Sequence, residues 1–128
     1  TLLAGKEVTI SEPVRIWAEE AKSSLQLHLL SNNPSSKRIG SVGTQLGLSY
    51  SYGAAKPRKA SLLKIINSLQ IAPSHIAIIG DRIFTDVLVG NRLGLYTVLV
   101  RPLIENGKPS NSNLIQRLEQ KVASLLGA

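Results

Sequence analysis

The sequence predicts an α/β protein built on a parallel sheet that helices cover on both faces. Short apolar segments of strand character alternate along the chain with longer segments whose apolar residues recur at helical spacing. The segment 75–80 is a continuous apolar run rich in β-branched residues, which is typical of a strand covered on both sides. This alternation implies parallel strands joined by right-handed crossovers. Because no repeat or linker divides the chain, we expect one domain over residues 1–128.

The first predicted helix begins at Ser11, whose hydroxyl can accept hydrogen bonds from the free N–H groups of the first turn. Glu12 suits the positive end of the helix dipole, and Pro13 is tolerated in the first turn. The helix should extend to about Ser24. Its predicted core-facing residues are Val14, Trp17, Ala18 and Ala21.

Three strand–helix pairs come next, and then a closing strand and helix. The predicted strands span 25–30, 49–53, 75–80 and 95–100, and the predicted helices span about 34–46, 58–70, 83–93 and 113–126. Gly40 and Gly43 disfavour the second helix by intrinsic propensity, whereas Gly47 suits its C-terminal end. A polar loop, 101–112, precedes the last helix.

The composition restricts the classes of function. The formal net charge is +7, so the surface should attract polyanions such as phosphorylated molecules, anionic lipid or nucleic acid. The chain has no cysteine and two histidines, which excludes a disulfide framework and a histidine-rich zinc site. No apolar run reaches the roughly 20 residues of a membrane span, and the N-terminus lacks the pattern of a signal peptide. We therefore expect a soluble, cytoplasmic protein.

Polar residues come directly after three of the predicted strands, at the sheet edge where parallel sheets bind their ligands. Ser31 and Asn32 lie after the first strand, and Lys56 after the second. Asp81 and Asp86, the only aspartates in the chain, lie after the third. Ser31 to Lys56 and Lys56 to Asp81 are both intervals of 25 residues, which is one strand–helix unit each. All of these residues should therefore face the same edge.

The residue types at this edge complement one another. A serine hydroxyl and the free N–H groups of a helix start bind phosphate oxygens. A lysine is a point charge suited to phosphate or to a negatively charged nucleophile. Two carboxylates suit Mg²⁺, which proteins bind through one or two carboxylates together with phosphate. The pattern predicts a site for phosphate and magnesium.

Each residue also has a simpler structural interpretation. Residues 31–33 alone are typical of a turn and helix cap, and Lys56 of a solvated loop. Asp81 could cap the next helix, and Asp86 could respond to the helix dipole. His28 is expected to be packed or exposed at an edge. The agreement of three features at equivalent sheet positions favours the functional interpretation.

These motifs resemble those of the haloacid dehalogenase (HAD) superfamily of phosphohydrolases. Residues 29–33 are similar to its second motif, an apolar strand that ends in Ser or Thr, and Lys56 with Pro57 is similar to its third. Gly80, Asp81 and Asp86 are similar to its fourth motif in the GD-x4-D form. The longer segment 79–97 resembles the YqeG-like branch, subfamily IIIA, which is related to phosphatidylglycerophosphate phosphatases.

The resemblance implies a HAD-like, Rossmann-like fold and magnesium-dependent hydrolysis of a phosphomonoester. Ser31 would hold the transferring phosphoryl group with help from Asn32, and Lys56 would neutralise the nucleophile and the phosphate. Asp81 would ligate Mg²⁺, and Asp86 would ligate it or orient its water. The substrate would be phosphorylated, with phosphatidylglycerophosphate at a membrane surface as a candidate. The protein would then be peripheral to the membrane, and nucleic acid is not an expected partner.

The first motif of the family, D-x-D-x-T, is where the sequence departs from the pattern. Its first Asp is the nucleophile and its second is the acid/base, whereas this chain begins Thr1-Leu2-Leu3, in which Thr1 is similar to the last residue of the motif. We therefore expect that both aspartates precede Thr1 in the natural protein, that the present sequence is truncated there, and that it is inactive alone. The family's sheet order, 5-4-1-2-3, would make the missing first strand the central one.

Two alternatives stay open. Within the same class, the substrate could be a soluble phosphorylated metabolite. In a different class, the chain would be a non-catalytic α/β module that binds a phosphorylated ligand or nucleic acid through its basic surface. A natural sequence with D-x-D-x-T directly before Thr1 would decide for the enzyme.

Overall fold

The order of strands and helices agrees with the predicted order. The structure, a computed structural model, describes Leu3 and residues 9–101, so the predicted helix 113–126 and most of the loop before it lie outside the described residues. The observed strands are shorter than the predicted ones. The elements are α1 Glu12–Lys22, β1 His28–Leu30, α2 Lys37–Leu46, β2 Ser49–Ser51, α3 Ala60–Leu69, a 3-10 turn Pro73–His75, β3 Ala77–Gly80, a π-helical turn Ile83–Val87, α4 Leu88–Arg92 and β4 Tyr96–Leu99.

The chain forms two compact units that divide between Ala55 and Lys56. In the described part of the first unit, β1 pairs with β2, and in that of the second, β3 pairs with β4. Both pairs are parallel, which confirms the α/β class with crossover helices. That residues 1–128 form a single domain with a central strand missing stays a prediction.

In the first unit, the core lies between the two helices and one face of the sheet. The buried residues Ile10, Ala18, Val42 and Leu46 form its centre, and Leu29 of β1 packs against them. Polar contacts reinforce this packing at the C-terminal end of α2, where backbone carbonyls lack partners within the helix. Lys22 donates to the carbonyl of Leu46 at 2.8 Å, and Arg15 to that of Gln45 at 3.2 Å. Both cations also suit the negative end of the α2 dipole.

The position of Trp17 differs from the prediction for α1. Ala18 is fully buried, but the Trp17 side chain is 44% exposed. Successive residues of a helix are about 100° apart, so a buried sector centred on Ala18 leaves its neighbour at the border. Arg15 and Lys22, three residues before and four after Ala18, lie on the same side of the helix and are partly buried. The prediction that Trp17 faces the core was therefore wrong.

In the second unit, α4 packs closely against one face of the β3–β4 pair. A Cβ atom on Gly90 would overlap the methyl groups of Ile78 and Thr97, so the helix backbone lies directly on the sheet. Ile79 and Val98 belong to the opposite face, and both are nearly half exposed. The sequence predicts a strand covered on both faces, whereas within the described residues Ile78 on the α4 face is partly buried and Ile79 on the other face is exposed.

Candidate active site

The structure brings together two of the predicted site residues, Lys56 and Asp86. The Lys56 ammonium forms a salt bridge with the Oδ1 atom of Asp86, and only about a tenth of each side chain is exposed. Among the described residues, Asp86 is the one charged residue that is classed as buried. A buried carboxylate needs a charged or hydrogen-bonded partner, and Lys56 supplies one. The interpretation of Lys56 as a solvated loop residue is therefore not supported.

The π-helical turn after β3 directs Asp86 back towards the end of the strand. The Arg82 backbone N–H donates to Asp86 Oδ2 at 3.3 Å, and the Arg82 carbonyl accepts from the Asp86 N–H at 2.9 Å. The carboxylate lies against the backbone of Gly80, where a Cβ atom would overlap it. Position 80 must therefore be glycine, because the Asp86 side chain occupies the space that a Cβ atom would need.

Asp81 is the first residue after β3 and is partly exposed. Its carboxylate and that of Asp86 are hard oxygen donors at the same end of the strand. Within the described residues, no group of three or more His, Cys, Asp or Glu side chains could hold a metal by itself. This donor set fits Mg²⁺, which takes one or two protein carboxylates and fills its remaining positions with water and phosphate.

The loop that carries Lys56 is held from a second side. The peptide bond between Lys56 and Pro57 is cis, and the Pro57 carbonyl accepts a hydrogen bond from Arg92 Nη1 at 3.2 Å. Arg92 is the last residue of α4. No pattern in the sequence indicates this contact, because a basic residue at a helix end is common for electrostatic reasons alone.

Ser31 and Asn32 belong to the first compact unit, at the C-terminal end of β1. The Ser31 hydroxyl accepts a hydrogen bond from the backbone N–H of Asn33 at 3.2 Å, which is the local contact of a serine turn. The Ser31 carbonyl accepts from Ala54 at 2.9 Å, so this loop is tied to the segment after β2. Asn32 is exposed.

His28 lies on β1 between two serines of β2. Its Nδ1 atom is 2.9 Å from Ser49 Oγ, and its Nε2 atom is 2.9 Å from Ser51 Oγ. Partial burial lowers the pKa of the His28 imidazole, because desolvation disfavours the charged ring. The sequence left His28 either packed or exposed at an edge, and the structure shows a partly buried ring that joins the two strands.

The fold and the chain's relatives define the class of protein. The crystal structure of an uncharacterized protein from Listeria monocytogenes serotype 4b superposes with a TM-score of 0.61 at 16% identity, covering 94% of this chain and 83% of that one. This likeness shows a shared α/β fold. Residues 53–118 match the HAD-hydrolase-like family (Hydrolase_like), and the chain belongs to this family. The match includes Lys56, Asp81 and Asp86, whereas Ser31 and Asn32 lie before it.

Curated proteins with similar sequences include phosphatases. The probable phosphatase YqeG of Bacillus subtilis is 31% identical over 107 residues, which are 83% of this chain and 59% of that protein. The mitochondrial phosphatidylglycerophosphatase GEP4 of Saccharomyces cerevisiae is 36% identical over 55 residues, which are 43% of this chain and 28% of that protein. The aligned region thus spans less than two thirds of either relative. The resemblance to the HAD superfamily inferred from the motifs is confirmed.

Proposed function

We propose that the natural protein is a magnesium-dependent phosphomonoester hydrolase. The observation that carries the proposal is the buried ion pair of Lys56 and Asp86 beside Asp81, at the carboxyl end of a parallel strand. Family membership over residues 53–118 supports it, because all three residues lie inside the matched region. A lysine and two carboxylates are the groups that phosphoryl transfer needs for charge neutralisation and metal binding.

The residues have distinct roles in this proposal. Lys56 neutralises charge on the phosphate and on the attacking carboxylate, and Asp86 holds the lysine ammonium in place. Ser31 binds the phosphoryl oxygens with help from Asn32. A serine that already accepts a backbone N–H can still donate its own proton to a phosphate oxygen, so the turn geometry suits this role.

Mg²⁺ would be held by the Asp81 carboxylate. Asp86 would contribute through the lone pairs that its bonds to Lys56 and Arg82 leave free, either to the metal or to a water bound to it. Bound Mg²⁺ would supply charge stabilisation for the phosphoryl oxygens. The protein's own task is to keep the lysine and the carboxylates in fixed positions around them.

We further propose that the attacking aspartate and the acid/base aspartate precede Thr1 in the natural protein. Asp81 and Asp86 are the only aspartates in these 128 residues, and both have assigned roles. An aspartyl-phosphate mechanism needs a further carboxylate. A natural sequence without that carboxylate would contradict the mechanism.

The substrate we propose is a lipid phosphomonoester of the phosphatidylglycerophosphate type, met at a membrane surface. Two features support this choice: the phosphatidylglycerophosphatase activity of the yeast relative and the net charge of +7, which favours an anionic surface. Among the helices of the described residues, none has the length and apolar character needed to cross a bilayer. The protein would meet its substrate from the cytoplasmic side as a peripheral protein.

The test is phosphate release by the whole natural protein from two substrates, phosphatidylglycerophosphate in mixed micelles and p-nitrophenyl phosphate. We expect hydrolysis of both in the presence of Mg²⁺, a higher kcat/KM for the lipid, and loss of activity in EDTA. Equal kcat/KM values would favour a soluble phosphorylated metabolite. The absence of hydrolysis with either substrate would contradict the proposed function.

A further inference from the structure

The helical segment 83–92 contacts the Lys56 loop at two points. The Asp86 side chain pairs with the Lys56 ammonium, and Arg92 Nη1 donates to the Pro57 carbonyl at 3.2 Å. Six residues separate Asp86 from Arg92, which is about 9 Å along a helix axis. One continuous segment therefore holds both the side chain of Lys56 and the backbone just after it.

The hydrogen bond from Arg92 to the Pro57 carbonyl also restricts the backbone of the preceding residue, Lys56. The peptide unit between Lys56 and Pro57 is planar, and the pyrrolidine ring fixes the φ angle of Pro57. Few torsions therefore remain free between the Lys56 Cα atom and the Pro57 carbonyl. Holding that carbonyl therefore limits the positions from which the lysine side chain can extend.

We propose that Arg92 is a positioning residue for Lys56, an inference that rests on the proposed phosphatase function. The ion pair with Asp86 alone fixes the ammonium relative to one carboxylate, but it leaves the loop backbone free to move around that contact. The Arg92 hydrogen bond, which lies at the surface, restricts this movement. The lysine charge is then fixed relative to the end of β3, where Asp81 and Asp86 would meet the phosphate and its metal.

A purely structural explanation exists for Arg92 and must be separated from this proposal. A cation in the last turn of α4 stabilises that helix through its dipole, whatever the position of Lys56. Such a role would change the melting temperature without changing the environment of the lysine. Arg58 offers a matched control, since it is an exposed arginine next to Pro57 and has no hydrogen bond or ion pair among the described residues.

The experiment compares Arg92→Gln with Arg58→Gln in the whole natural protein. Both variants lose one positive charge. For Arg92→Gln we expect kcat to fall by about tenfold with little change in KM, because a misplaced catalytic group can cost up to about a hundredfold. Arg58→Gln should keep the kcat of the wild type. Equal kcat values for the two variants would overturn the proposal.

A second readout does not depend on activity. The NMR chemical shift of the Lys56 Cε group should change in Arg92→Gln and stay unchanged in Arg58→Gln. An unchanged Lys56 shift in Arg92→Gln would overturn the positioning role even if kcat fell. If the wild-type protein hydrolyses no phosphomonoester, the proposed function fails, while the Lys56 shift still tests whether Arg92 holds the loop.

Discussion

At the scale of single residues, the energetics of the second unit centre on the Lys56–Asp86 pair. Both side chains are about nine-tenths buried, so their charges are desolvated, and the carboxylate also accepts the Arg82 N–H. A buried pair of this kind contributes little net stability compared with apolar residues of the same size. Removing one partner is costly, however, because the other charge stays buried without compensation. The contribution of the pair to stability therefore does not by itself explain why two charges are buried here.

Replacing Asp86 with alanine should therefore destabilise the protein by about 3–5 kcal/mol, the usual cost of breaking a buried ion pair. The control is the surface salt bridge between Lys22 and Glu19, in which the Lys22 Nζ and Glu19 Oε1 atoms are 3.1 Å apart. The side chains of Lys22 and Glu19 are 31% and 60% exposed. Glu19→Ala should cost no more than about 1 kcal/mol. Urea unfolding of both variants measures the difference. Similar losses of unfolding free energy would show that Asp86 is not buried as described.

His28 predicts a pH dependence of stability. Its pKa is lowered in the folded state by desolvation, so the unfolded chain binds protons more readily at this residue. The resulting stability is fully present above the unfolded pKa of about 6.5 and is lost as the pH falls through the lowered folded value. His28→Gln should remove this part of the pH dependence while keeping a polar group beside Ser49 and Ser51. Urea midpoints of the wild type and of His28→Gln, measured between pH 5 and pH 8, test this prediction. Parallel pH profiles of the two proteins would contradict it.

At the scale of elements, α2 shows how a tertiary contact overrides helix propensity. Gly43 disfavours a helix, yet α2 continues through it because the ring of Tyr50 and the carbonyl of Leu48 lie against its backbone. A Cβ atom there would stand 2.7 Å from Tyr50 Cδ1 and 2.9 Å from the Leu48 oxygen. At Gly40 the nearest atom is the Tyr50 hydroxyl at 3.2 Å, at the far end of the same side chain.

The two glycines should therefore respond differently to alanine. Gly43→Ala should destabilise the protein by about 1–3 kcal/mol, because overpacking against backbone and ring outweighs the gain in helix propensity. Gly40→Ala should be neutral or stabilising by up to about 1 kcal/mol, since the phenol can shift. Thermal unfolding of the two variants tests this, and equal shifts of Tm would contradict the packing.

The same elements show what could be predicted from the sequence. Although the strands are shorter and Trp17 is more exposed than predicted, the order of strands and helices and the positions of Lys56, Asp81 and Asp86 can be derived from apolar periodicity and from polar residues placed after strands. The π-helical turn, the approach of Tyr50 to Gly43 and the bond from Arg92 to Pro57 cannot. They depend on which surfaces meet after folding, and no local pattern encodes that. The bridge from His28 to two serines likewise depends on the register of β1 and β2.

At the scale of the whole molecule, family membership and the site support one another. The matched region 53–118 contains the buried ion pair and both aspartates, and the fold places them beyond the end of β3. The strand ends of parallel sheets are where α/β proteins of many kinds bind their ligands, so fold alone would not choose the chemistry. The choice of phosphoryl transfer depends on the residue types, a lysine held by one carboxylate beside a second one.

The most direct test of this account is the turnover of p-nitrophenyl phosphate by the whole natural protein with Asp81→Asn, compared with His28→Ala. Asp81→Asn should lower kcat by at least about a hundredfold, as expected when one electrostatic group of an active site is removed. His28→Ala, a change at a residue that joins two strands, should leave kcat close to that of the wild type. Equal losses in the two variants would contradict the assignment of Asp81 to the active site.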